Sequence, residues 1–296
     1  MTTYLVGLDG SDHGLAALQW ARAVATADES IVVAHAWDVP MSTGFEGSAA
    51  GVTAMDPLTI EQASSEFVDG VLSGQADRRV TSRVVAGNAG RVLADLADEL
   101  GGESGEVTIV VGHGGSSKAS LLLGSTANHV VHHVTCPVVV VRGELRIPVR
   151  RAVVGVDKGH DDEEPDEHSL AALTWALRLP GLERIEASHA DFVPGVAAGP
   201  VREPGLESDE AVTDDEVLLR HAIEQATDGS SVAPNGAEVV PVVAGGTGAF
   251  ALIEASRDAD LVVIGTRGRR RFVELLAGST SLDVLSHAHC PVAVIH

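Results

Sequence analysis

A chain of 296 residues with 20 Lys and Arg against 42 Asp and Glu carries a net charge of −22, and its 45% hydrophobic residues can build a core in each of two ordinary domains. The acidity argues against a nucleic-acid partner, whose phosphates need a basic surface, and 3% aromatics leave no stacking platform for single strands. No apolar run reaches the ~18 residues of a membrane span, the start MTTYLVGLDGSD has no secretory-signal pattern, and Cys136 and Cys290 alone make no disulfide framework; the expectation is a cytoplasmic α/β protein with no membrane contact.

In chain order, strands are predicted near 4–9, 30–37, 80–86, 107–112 and 137–142, with helices near 12–27, 57–75, 89–101 and 124–134. The runs Val107–Val111 and Val138–Val141 lack polar alternation, as strands buried on both faces do. Between them, Val92/Leu93, Leu96/Ala97 and Leu100 recur at helical steps and form one apolar stripe. The order then repeats, with strands near 151–157, 184–190, 238–243, 260–265 and 291–295.

The repetition is visible residue by residue. Leu5-Val6-Gly7-Leu8-Asp9 matches Val153-Val154-Gly155-Val156-Asp157, and the run from Leu15 to Ala21, with Trp20, matches that from Leu170 to Ala176, with Trp175. His35 corresponds to His189, Pro40 to Pro194, and each half closes on His-x-x-Cys-Pro-Val, at His133 and at His287. A period of half the chain is too long for a solenoid, so two copies of one domain are expected, 1–143 and 150–296, joined near 143–150. Alternating helices and buried strands imply a doubly wound parallel sheet with helices on both faces. Such sheets bind ligands at the carboxyl ends of their strands, where Asp9, Gly112, Asp157 and Gly265 fall.

Two glycine loops follow. In the second half Gly265-Thr266-Arg267-Gly268 is followed, after nine intervening residues, by Gly278-Ser279-Thr280; in the first, Gly112-His113-Gly114-Gly115 is followed, after eight, by Gly124-Ser125-Thr126. Glycines after a strand let backbone N–H groups face an anion, and Ser279 and Thr280 open a helix whose amides favour phosphate. Arg267, Arg269, Arg270 and Arg271 form the dense basic cluster of an acidic chain and suggest a polyphosphate, whereas the shorter first loop carries only Lys118. Neither loop is a Walker A motif, the first turns are not the dinucleotide fingerprint, and no serine-hydrolase elbow is present.

The stretch VGLDGSDHGLAALQWA, the Gly-x2-Gly-x9-Gly-Ser loop and the closing HAHCPVAVI together resemble the universal stress protein family in its tandem form, along essentially the whole chain. The resemblance implies a five-stranded parallel sheet of order 3-2-1-4-5 in each half. It also implies ATP bound between the first-strand Asp and the glycine loop, with Mg²⁺ or Mn²⁺ held through the phosphates and no dedicated protein ligands. By position, Asp157 would meet the ribose, Val156 and Ala190 the adenine, and Gly265, Arg267, Gly268, Gly278, Ser279 and Thr280 the phosphates. In the first half Asp9, Leu8, Ala36, Gly112, Gly115, Gly124, Ser125 and Thr126 correspond. It implies, further, that the halves pair along their last strands as a pseudo-dimer, like a homodimer of one-domain relatives; whether two chains associate, and with which protein partner, is left open.

The second half carries an acidic insertion, Lys158 to Glu167, which can swing into solvent, and its arginines make it the preferred seat of a single nucleotide. No catalytic residue is assigned. The reading is an ATP-binding stress-response switch; its rivals are a nucleotide-independent interaction module and a slow ATP hydrolase or adenylate-using enzyme. His129, His132 and His133 read as packing or surface residues rather than metal ligands, Cys136 and Cys290 as small buried groups, Trp20 and Trp175 as core, and 41–56 and 194–216 as loops over the strand ends.

Overall fold

The computed structural model describes residues 2–38, 56–73, 77–114, 123–159, 164–191, 213–229, 233–266 and 279–296. The first half runs β1 (Thr2–Gly7), α1 (Asp12–Val24), β2 (Ser30–Trp37), α2 (Pro57–Leu72), β3 (Val80–Ala86), α3 (Ala89–Ser104), β4 (Glu106–Gly112), α4 (Ser125–His133) and β5 (Val138–Val141). The second runs β6 (Arg151–Gly155), α5 (Glu167–Arg178), β7 (Arg184–Asp191), α6 (Asp214–Ala226), β8 (Glu238–Gly245), α7 (Gly248–Ala255), β9 (Leu261–Gly265), α8 (Ser279–His287) and β10 (Val292–Ile295).

Helix starts are set by side chains that satisfy the otherwise unpaired first amides. Ser11, Asp56, Asn88, Asp166, Thr213 and Thr247 each accept from a backbone N–H one turn ahead. The central strands are Val-rich on both faces because helices cover both: β4 and β5 are buried almost throughout.

Each half has the order 3-2-1-4-5, and the ten strands form one sheet, β3-β2-β1-β4-β5-β10-β9-β6-β7-β8. Within a half every pairing is parallel; the halves meet antiparallel, Val140 opposite Val292, Val139 opposite Ala293 and Val138 opposite Val294. Two cores result, one on each face. One gathers α1, α2, α5 and α6 through Trp20, Val68, Leu173 and Leu219; the other gathers α3, α4, α7 and α8 through Leu93, Val130, Leu252 and Leu285.

Three particulars differ from the sequence reading. Trp20 is fully buried, but Trp175, at the matching position, is only partly covered. Cys290 is buried whereas Cys136 is half-buried. The ends of the insertion do not swing free: Gly159 N donates to the Glu164 carbonyl, Lys158 bridges Pro165, and Lys158 Nζ pairs with Asp215 of α6 at 2.9 Å. Gln225 of α6 also donates to Glu164, at 2.9 Å, so these residues form a hairpin tied to α6. Residues 160–163 of the insertion lie outside the described residues.

Candidate functional site

A cleft opens at the carboxyl ends of β1 and β4, and its counterpart at those of β6 and β9, where the crossover direction reverses. The first, about 190 Å³, is walled by Leu8, Asp9 and Ala36 on one side and by Gly112 and the start of α4, Gly124 to Thr126, on the other. The second, about 280 Å³, brings together Val156, Asp157, Ala190, Gly265 and Thr280. Ser279 begins α8, while Gly115, Arg267, Gly268 and Gly278, like Lys118 and Arg269 to Arg271, lie outside the described residues.

The two aspartates stand in matching places but are held differently. The Asp9 carboxylate accepts from the amide of Ser11 at 3.0 Å and from its hydroxyl at 2.6 Å. Asp157 accepts from the Lys158 amide at 2.9 Å, and its own amide donates to Ser169 Oγ at 3.0 Å. Beside each, a histidine of the second strand points back: His35 Nδ1 lies 2.7 Å from the Leu8 carbonyl and His189 Nδ1 2.8 Å from the Val156 carbonyl. A carbonyl only accepts, so both rings carry the Nδ1 proton. These bonds clamp the second strand's end to the turn that carries the aspartate. The wall beyond differs. His35 packs on Phe67 of α2, ring centroids 5.2 Å apart, whereas His189 Nε2 lies 3.6 Å from Asp215. The first cleft has an aromatic shoulder and the second a charged one.

The glycines at the strand ends are needed for packing as well as for any ligand. A Cβ on Gly112 would sit 2.6 Å from the His13 carbonyl carbon, and one on Gly265 2.4 Å from the His168 carbonyl oxygen; each strand thus passes directly under the first turn of α1 or α5. Gly114 (φ +80°) and Gly124 meet Cα against backbone, where a Cβ on either would come within 2.9 Å of the other. The Gly124 amide donates to the His113 carbonyl at 2.8 Å, closing the loop.

α4 begins without a side-chain cap: Gly124 takes the cap position and offers no acceptor. The first-turn amides of α4, with the positive end of its dipole, therefore face the cleft opposite Asp9. Sequence reasoning did not place Gly14, Ala89 and Leu93 in the first cleft, nor Asp166, Ser169 and Gly248 in the second. The available signal was the repeat itself, since Ala89 and Gly248 open equivalent helices just after capping residues Asn88 and Thr247.

The other candidates are structural. His132 and His133 bond through Nδ1 to carbonyls one turn back, and the His129 ring stacks on His133 at 4.2 Å. Among the described residues no group of three or more His, Cys, Asp or Glu could hold a metal ion. Burial pushes the Cys136 thiol up to about 11 and that of Cys290 up to about 12, which leaves both protonated at neutral pH.

The sequence matches the universal stress protein family over residues 1–142 and again over 148–296. A universal stress protein of Mycolicibacterium smegmatis is 26% identical over 315 residues, covering 98% of this chain and 96% of that protein. Universal stress protein Rv1996 of Mycobacterium tuberculosis is 26% identical over 320 residues, covering 98% and 93%. In fold, the chain is similar to the crystal structure of a universal stress protein from Archaeoglobus fulgidus, with a TM-score of 0.63, 18% identity and coverage of 99% and 97%. Among the described residues no helix is long and apolar enough to cross a membrane.

Proposed function

The chain belongs to the universal stress protein family, and on that premise we propose that it binds an adenine nucleotide at the strand ends and serves as a nucleotide-dependent stress-response module. One observation carries the reading: the uncapped N-terminus of α4 faces Asp9 across a cleft whose floor is glycine. Amides and dipole at one end suit phosphate, the carboxylate at the other suits ribose hydroxyls, and the apolar wall of Leu8, Ala36 and Leu93 suits a base. In the second half Asp157, Val156, Ala190 and Thr280 offer the same scaffold. The sequence favours that half through its arginines, whereas the described geometry supports the first more fully. With no metal-binding group among the described residues, a divalent ion would be held by the phosphates. Nucleotide acts as an occupant that biases conformation or partner choice, and hydrolysis is slow.

Titration calorimetry with ATP, ADP and AMP, with and without Mg²⁺, tests this. The expected result is saturable binding, lost on Asp9→Ala or on Asp157→Ala according to which half is occupied. No heat with any of the three would leave the nucleotide-independent interaction module as the better reading.

A further inference from the structure

The halves repeat, but the segment that joins them occurs once, and among the described residues nothing occupies the matching place in the first half. Residues 142–150 leave β5 and cross the amino ends of β9 and β10 before entering β6. Glu144 N donates to the His289 carbonyl at 2.8 Å. Arg146 reaches the carbonyls of Arg257 and Ala259 at 2.8 and 3.3 Å, just past the end of α7. Leu145 and Val149 enter the same apolar cluster as Trp20.

By the repeat, Ala259 corresponds to Glu106, Cys290 to Cys136, Ala152 to Tyr4 and Trp20 to Trp175. Around these counterparts lies an open groove of about 480 Å³, larger than either strand-end cleft. It runs between the amino ends of β1, β4 and β5 and the flank of α5, with Tyr4, Glu106, Cys136, Pro137, Thr174 and Trp175 among its walls. No described segment crosses it as residues 142–150 cross its twin. Trp20 also packs edge-on against Tyr4, ring centroids 6.2 Å apart, where the counterpart of Tyr4 in the second half is the smaller Ala152.

The twin groove shows what chemistry fits. Leu145 supplies a branched apolar group and Arg146 a guanidinium for backbone carbonyls just past a helix end. The open groove offers the same pair of features: a half-covered indole, and the end of α3, where Gly105 and Glu106 line the wall with Glu29 nearby. Glu106 pairs with Arg178 at 3.2 Å, but both side chains are about two-thirds exposed, so an incoming guanidinium can exchange into the pair. The charge of the whole molecule, −22, favours a cationic visitor.

We propose that this groove docks an extended segment of a partner protein in which a branched apolar residue is followed by arginine, seated as Leu145 and Arg146 are seated in the twin. The probe is the capped peptide Gly-Glu-Leu-Arg-Ile-Pro-Val, the sequence of residues 143–149, titrated into the full chain by calorimetry and by tryptophan emission. The expected result is saturable binding at one site with a blue shift of the emission, the shift being absent in Trp175→Phe. Glu106→Lys, an exposed position, lowers affinity at least tenfold, and Thr174→Arg abolishes binding. A peptide with Glu in place of Arg fails on the unaltered protein, so the result does not depend on any variant folding. Absence of saturation at millimolar peptide overturns the proposal. So does binding that survives both protein variants, which would mean displacement of residues 143–149 from their own seat. Nucleotide titrations on the same variants are expected to be unchanged, which separates this site from the strand-end clefts.

Discussion

At the scale of single residues, the glycines ending β4 and β9 show how packing and binding place demands on the same atoms. Gly112 and Gly265 lie under the first turns of α1 and α5 with no room for a methyl group. Gly112→Ala or Gly265→Ala is expected to cost about 1–3 kcal/mol, the range for overpacking a filled site, measured as a shift in urea midpoint. His113 sets a pH dependence. It is 5% exposed, and burial first, then the Arg142 guanidinium and His13, hold its imidazole below the usual histidine range. Well above the ordinary histidine value of about 6.5, neither folded nor unfolded imidazole binds a proton. As the pH falls below that, the unfolded chain takes one up while the folded chain resists, so stability is lost on acidification. Urea midpoints are expected to fall between pH 7 and pH 5, and His113→Gln to lessen that slope, the rest belonging to groups such as His296, which burial lowers to about 4. An unchanged slope would assign the dependence to other groups.

At the scale of elements, α4 stands apart from the six helices whose caps carry a side-chain acceptor. A glycine at the cap forgoes a few tenths of a kcal/mol relative to a side-chain cap, a loss that a bound anion can offset. Ser125→Glu separates the two roles, because the side chain is exposed and an acid in the first turn favours the helix dipole by about 0.3–1 kcal/mol. The thermal midpoint should hold or rise while nucleotide affinity falls at least tenfold. A fall in both would indicate a disturbed fold rather than a repelled phosphate. The hairpin at Lys158 and Pro165 makes a related point about charge. Its lysine is committed to Asp215 of α6, so that acid, beside the second cleft, is partly balanced from the hairpin.

At the scale of the whole molecule, one sheet runs through both halves, and the four-residue strands β5 and β10 carry the junction. Each would be an exposed apolar edge alone, and pairing them removes that hazard. Arg142 strengthens the join by donating to the Leu285 carbonyl of α8 at 2.8 Å, while Arg178 meets Glu106 across the halves. A continuous sheet with shared cores predicts a single calorimetric transition. Ala293→Glu puts a charge at a fully buried position opposite Val139 and is expected to cost about 3 kcal/mol or more, splitting the transition into two. A single transition at an unchanged temperature would show that the halves do not depend on this pairing.

Strand and helix order, the duplication, and the position of Asp9, Asp157, Gly112 and Gly265 at strand ends could all be read from the sequence. Runs of Val without polar alternation report two covered faces, and a repeat reports itself, because both are local properties of the chain. Other features were decided in three dimensions. The approach of His13 and His168 over the glycines, the histidine clamps on Leu8 and Val156, and the tie from Lys158 to Asp215 each join residues that no local pattern connects. The contrast between Trp20 and Trp175 shows the limit most plainly. Their sequence contexts match, yet one is sealed and the other borders an open groove, because periodicity states which side of a helix is apolar and only the path of the rest of the chain settles what covers it.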